Sequence, residues 1–348
     1  MREPVGVKNM RLVRWFVKLA GVGRVLVGVM LLGGWPAAFA QAPDPAKVRG
    51  PEACAECHTG EMDAWKETHH YNTFNALHRR PEAQKIATKL GITTIKRESL
   101  CVNCHYTEKV VGSGKDVIAG ISCESCHGAG KDWIDLHGDY GGKNVTREME
   151  TPAHRKQRLE QSAAKGMLRP DMIYAVASRC HQCHTVPNER LVNFGGHKPG
   201  SDFELVAWSQ GEVRHNYQRS DSNPESPPER RRLMYVIGQG LALESNLRGV
   251  AKATEKAAYG TEMAKRVVAA RDNLKKINGL MRIPEVEQMI AAAEKAQLKL
   301  NNEPELVKAA DEVVKAVQRF AVNSDGKKLA ALDPLLPSRS QYKGKPQQ

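Results

Sequence analysis

The chain has 348 residues, a formal net charge of +13 at pH 7, and only 5% aromatic and 41% hydrophobic residues. That length allows two domains of ordinary size, but the apolar content is thin for side chains alone to fill their cores. The charge is unevenly divided, net +1 over residues 41–224 and net +7 over 225–348, and no basic patch interleaved with aromatics accompanies it, which argues against a nucleic-acid partner.

Residues 1–40 read as an export signal. Arg2, Lys8, Arg11, Arg14 and Lys18 form a basic start, an apolar run covers Val25 to Leu32, and Ala38-Phe39-Ala40 offers a small-residue cleavage site. Cleavage after Ala40 is expected, releasing a periplasmic chain from Gln41. If the signal stays, it tethers the protein to the outer face of the cytoplasmic membrane. Nothing later is apolar for the roughly 18 residues a membrane span needs.

Eight cysteines in an exported chain would ordinarily suggest disulfides. Their spacing overrules that default. They fall as Cys54-Ala-Glu-Cys57-His58, Cys101-Val-Asn-Cys104-His105, Cys123-Glu-Ser-Cys126-His127 and Cys180-His-Gln-Cys183-His184, four CxxCH motifs with no cysteine left over. Two cysteines three apart lie on one helical turn and can form thioethers with the two vinyl groups of one haem. The following histidine reaches the iron from the same side. Four covalently bound haem c groups are therefore expected, and they explain the thin composition: porphyrins supply the apolar interior that side chains do not.

Four of the twelve histidines are thus proximal ligands: His58, His105, His127 and His184. The other eight, His69, His70, His78, His137, His154, His181, His197 and His215, all lie within 69–215, and the last 133 residues contain none. That clustering points to several being second axial ligands. His181, inside the fourth motif, reads as a surface residue pointing away from its own iron.

Trp65-Lys-Glu-Thr68-His-His70 after the first motif resembles the WxxSxH pattern of cytochrome c-554-type tetrahaem proteins, the electron acceptors of hydroxylamine oxidoreductase in nitrifying bacteria. Cys126-His127-Gly128-Ala129-Gly130 with His137 resembles that family too, as does the lone His215 after the fourth motif. The resemblance covers residues 51 to about 220. It implies that distal histidines are exchanged between haems: His137 opposite His58, His70 (or His69) opposite His127, and His215 (or His197) opposite His184. It further implies a five-coordinate second haem, on His105, with His78, His154, Met149 and Met167 as the side chains that could otherwise close it.

Residues 219–228 read as a linker. Ser226-Pro-Pro-Glu229 then looks like a capping box opening a helix to about Val250, with Leu233, Ile237, Leu241 and Leu247 on one face. A second helix over about 254–279 carries Met263, Val267, Ala270, Leu274 and Ile277. A third runs from Pro284 to about Leu300. A fourth begins near Pro304 with Leu306, Ala310, Val313, Val317 and Phe320. Short turns between them predict an antiparallel bundle.

The expected architecture is mainly α. A multihaem cytochrome c domain with a haem-filled core covers 41–220, a linker 221–228, the antiparallel helical bundle 229–333 and a flexible tail 334–348. The bundle packs against the haem domain or serves self-association or a partner; the c-554-type proteins carry no tail this long. The leading functional expectation is electron transfer between redox protein partners through bis-His haems, not enzymatic catalysis. The alternative is a multihaem oxidoreductase acting on nitric oxide or hydroxylamine at an open second haem.

Overall fold

A computed structural model describes residues 42–217 and 222–347, together with Met1. The export signal expected over 1–40 therefore lies outside the described residues. The described residues from 42 onward belong to one compact unit, which is mainly α-helical. Among the described residues, no helix is long and apolar enough to cross a membrane.

The motif-bearing part is built from short helices. In chain order they are α1 (Glu52–Ala55), α2 (Thr59–Lys66), α3 (His69–Ala76), α4 (Pro81–Leu90) and α5 (Ser99–His105), then α6 (Cys123–His127), α7 (Ile134–His137), α8 (Pro152–Ala164), α9 (Ile173–His184), α10 (Glu189–Asn193) and α11 (Leu205–Ser209). Between α5 and α6 stands a hairpin of β1 (Thr107–Val111) and β2 (Gly114–Ala119), antiparallel, with Val111 opposite Gly114 and an irregularity after Thr107. The two-residue loop Gly112-Ser113, with Gly112 at φ +60°, is the turn such a hairpin needs. Side chains pack only a small apolar cluster there, Ala87, Ile95, Val102 and Tyr106.

Residues 222–347 are different. They form α12 (Pro228–Lys252), α13 (Ala258–Leu280), α14 (Pro284–Lys295) and α15 (Glu303–Asn323), each packed on the next, with α12 also against α15. The stripes Met263, Val267, Ala270, Leu274, Ile277 and Leu306, Ala310, Val313, Val317, Phe320 are all buried, as their four- and three-residue steps predict. α12 is buried on most of its circumference from Met234 to Leu241, because it also meets α9 and α11. Its start differs from the expected capping box. Ser226 instead exchanges hydrogen bonds with the buried amide of Gln210, donating its backbone N–H to Oε1 at 2.7 Å and accepting from Nε2 at 3.3 Å.

α12 can lie at the centre because its glycines admit close neighbours. A Cβ on Gly240 would sit 2.3 Å from Val317 Cγ2 and 3.2 Å from Met289 Sδ. Gly240→Ala is therefore expected to destabilise the protein by about 1–3 kcal/mol through overpacking, despite alanine's better helix propensity. Gly279→Ala, where an added Cβ meets nothing within 4 Å, is expected to be stabilising by up to about 1 kcal/mol. Thermal melts of the two variants beside the parent check the contrast.

The apolar core of the bundle continues into the motif-bearing part. Ala177 of α9, Val192 of α10 and Leu205 and Val206 of α11 belong to the same buried cluster as Leu241, Leu247 and Val317. A polar chain crosses the same boundary: Tyr174 donates to Glu244 at 3.3 Å, and Arg248 bridges Glu244 and Asp311 at 3.2 and 2.7 Å. The C-terminal segment expected to be flexible is irregular but tied down. Lys343 donates its N–H to Ala207 O at 3.0 Å and accepts from Glu212 N at 2.8 Å, and Asn223 bonds Arg214 O and Gln347 O, both at 2.8 Å.

Candidate functional site

Three of the four CxxCH motifs occupy the last turn of a helix: Cys101, Cys104 and His105 end α5, Cys123, Cys126 and His127 make up α6, and Cys180, Cys183 and His184 end α9. Cys54 lies on α1, and the turn continues through backbone bonds from Cys57 and His58 to Cys54 O at 3.2 and 3.0 Å. None of the eight cysteines pairs in a disulfide; Cys57 is exposed and the rest are half-buried. The motifs interlock. Cys54 lies beside Cys123, and Cys104 beside Cys183.

Polar anchors set these positions. Glu124, between the two cysteines of the third motif and 1% exposed, accepts backbone N–H groups of Arg49 at 2.9 Å, Gly50 at 2.8 Å and Gly130 at 2.6 Å. It thereby fixes the approach to the first motif against the third. Thr107 of β1 bonds Gly120 O and the hydroxyls of Ser122 and Ser125, joining the hairpin to α6. Thr68 caps α3 and donates to Trp65 O at 2.7 Å, while Trp65 Nε1 donates to Ile121 O at 2.7 Å. Gly120 then lets His70 approach, since a Cβ there would lie 1.9 Å from His70 O.

Each motif histidine faces one other imidazole. Ring centroids are 6.2 Å apart for His58 and His137, 6.2 Å for His184 and His70, 6.3 Å for His105 and His197, and 6.1 Å for His127 and His215. His137 stands beside His58, the histidine that the resemblance sets opposite it, while the other rings stand beside different partners. His70 faces His184 instead of His127, and His215 faces His127 instead of His184. His197 stands opposite His105, where the resemblance implies an open face. His69 turns away, its Nδ1 2.6 Å from Glu212. His154 bonds Glu150 at 2.9 Å, and neither it nor His78 faces a motif histidine. His181 is not a surface residue: it is 4% exposed and packs edge-on against Phe203 at 5.0 Å, and burial pushes its pKa down to about 3.

The rings are prepared as ligands. Nδ1 donates to a backbone carbonyl in His127 (Leu168, 2.8 Å), His137 (Ile134), His197 (Lys198, 2.8 Å) and His215 (Val213, 2.7 Å), and Nδ1 of His184 bonds Ser201 Oγ at 2.7 Å. A carbonyl only accepts, so in those four rings Nδ1 carries the proton and Nε2 keeps its lone pair. Burial, helped by neighbouring imidazoles, pushes His105, His127 and His184 down to about 4, and burial also lowers His70. Burial thus favours the neutral ring, the form that binds metal. Beyond His137, Arg158 donates to its carbonyl and is held by Glu150, whose carboxyl the arginine and His154 depress to about 2.

The geometry selects the kind of group that fits. A metal–imidazole bond of about 2 Å puts two trans ring centroids about 6 Å apart, close to the observed spacing. Among the described residues no group of three or more His, Cys, Asp or Glu is placed to hold a bare ion. The pairs fit an iron that brings its own equatorial ligands, as haem does. Buried Trp133 Nε1, beside His137, and Tyr106 Oη find no partner among the described residues, as donors awaiting the carboxylates of a bound group would.

Residues 53–128 match the family described as cytochrome c554 and c-prime. Cytochrome c-554 of Nitrosomonas europaea is 26% identical over 149 residues, covering 40% of this chain and 58% of the relative's own length. No solved structure matches. Both similarities support covalently bound haem c at the CxxCH motifs described above.

Proposed function

We propose that the protein is an exported, periplasmic cytochrome with four covalently bound haem c groups that passes electrons between redox protein partners. The observation that carries this reading is the set of facing histidines, because all four distal candidates come from a segment attached to another motif, His197 following the fourth and facing the second's. His137 follows the third motif and faces the first motif's histidine, His70 follows the first and faces the fourth's, and His215 follows the fourth and faces the third's. The bound group supplies a one-electron couple at its iron. The protein's part is to hold two neutral imidazoles on that iron in either oxidation state, with Nδ1 acceptors fixing their orientation. Since these sites borrow a ligand from elsewhere, they form together rather than singly. The net charge of +7 over residues 225–348 would help steer acidic partners.

The test is stoichiometry. The intact mass of the mature protein is expected to exceed its chain by four haems, and acid–acetone is expected to extract none. Fewer covalent haems, or cysteines recovered as disulfides, would refute the reading.

A further inference from the structure

We infer that His197 is the distal ligand of the haem attached at Cys101 and Cys104, so that the second iron is closed by the protein. The inference rests on the four-haem reading and departs from the five-coordinate second site that the family resemblance implies.

His197 ends a turn that leaves its backbone little freedom. α10 is capped by Asn188, whose Oδ1 accepts Leu191 N at 2.8 Å. Its C-terminus is closed by three backbone bonds: Gly195 N to Arg190 O at 3.0 Å, Gly196 N to Val192 O at 3.1 Å and His197 N to Leu191 O at 3.1 Å. Gly196 has φ +80°, the left-handed conformation that glycine adopts at a helix end. A Cβ at Gly195 would lie 2.6 Å from Leu191 O and 3.1 Å from Leu90 Cδ1, so the loop is packed down on α4.

The turn is also bolted to the helical bundle. Glu189, at the start of α10, accepts Thr254 N at 3.0 Å and Thr254 Oγ1 at 2.7 Å. Asn193, at its end, accepts Tyr259 N at 2.9 Å and donates to Glu255 at 2.8 Å. The connection between α12 and α13 thus grips α10 at both ends. The imidazole that follows has Nδ1 spent on Lys198 O, and its ring stands 6.3 Å from His105. That spacing falls with those of the other three pairs. One role of the bundle is therefore to hold the ligand that closes the second site.

The experiment compares the oxidised and reduced holoprotein with His197→Ala and His197→Gly. The wild type is expected to show only low-spin ferric haem by electron paramagnetic resonance, and its ferrous form to bind no carbon monoxide. Each variant is expected to turn one haem in four high-spin and to bind one carbon monoxide per four haems. Added imidazole is expected to restore the low-spin spectrum of His197→Gly. A wild type with one high-spin haem that the substitutions leave unchanged would overturn the inference, and so would variants that stay wholly low-spin. If the variants lose haem during maturation, the wild-type spectrum and carbon monoxide titration decide alone. A wild-type mass showing fewer than four haems would instead sink the four-haem reading.

Discussion

Glu124→Ala is expected to cost the protein several kcal/mol of stability and to lower haem attachment at the first and third motifs. The carboxylate is buried within the third motif's own CxxCH segment and receives three backbone N–H groups, from Arg49, Gly50 and Gly130. Alanine would leave all three without an acceptor in a place water does not reach. An orphaned buried donor costs about 1–3 kcal/mol, and bonds to an ionised acceptor lie at the stronger end. Three of them approach the whole stability of an ordinary domain, about 5–15 kcal/mol. The loss is also directional. Arg49 and Gly50 lead into the first motif, and Cys54 and Cys123 touch, so releasing Glu124 uncouples the two attachment sites. Glu124→Gln keeps one acceptor oxygen but turns an amide donor toward backbone donors, and is expected to fall between wild type and alanine. Haem count by intact mass, together with thermal melting, checks the order. A Glu124→Ala protein with four haems and an unchanged melting temperature would show that the three contacts are dispensable.

Much of the chemistry was legible in the sequence, because covalent haem attachment is local. Cys54 to His58 and its three counterparts need only adjacent residues on one turn, so the spacing alone reveals them. The bundle was legible for a related reason: stripes such as Met263 to Ile277 are set by the period of the helix. The pairing of histidines was not. Whether His70 meets His127 or His184 depends on how α3 crosses the hairpin at Gly120, a close approach that nothing near His70 records. His197 carries no local sign of the second haem, because its turn points at α5 through contacts with α4, α12 and α13 that are remote in sequence. The misjudged burial of His181 has the same origin: the outer face of α9 packs on Phe203 beside α11, where the sequence alone suggests solvent. The capping box at Ser226 failed because the distant amide of Gln210 competes for its backbone and hydroxyl.

Truncation after residue 228 is expected to do more than remove an appendage: the protein should retain fewer than four haems or fail to accumulate. The cut leaves every cysteine and histidine in place, so its effect measures what the bundle does for the sites. α9, which carries the fourth motif, lays Ala177, Ile173 and Tyr174 against the bundle, and Val192, Leu205 and Val206 are buried in the same cluster. Fully exposing a valine or leucine side chain costs about 1.5–3 kcal/mol, and several are exposed at once. The truncation also removes both grips on α10 and the Lys343 backbone bonds that hold Ala207 and Glu212. The fourth site and the His105–His197 pair should suffer first, whereas His58 and His137 lie on elements that do not pack extensively against the bundle. Mass spectrometry of the truncated protein should therefore show haem retained at Cys54 and Cys57 and reduced at Cys180 and Cys183. Four haems with a wholly low-spin spectrum would mean that the haem region folds on its own, and the bundle would then be a separate module for docking or self-association.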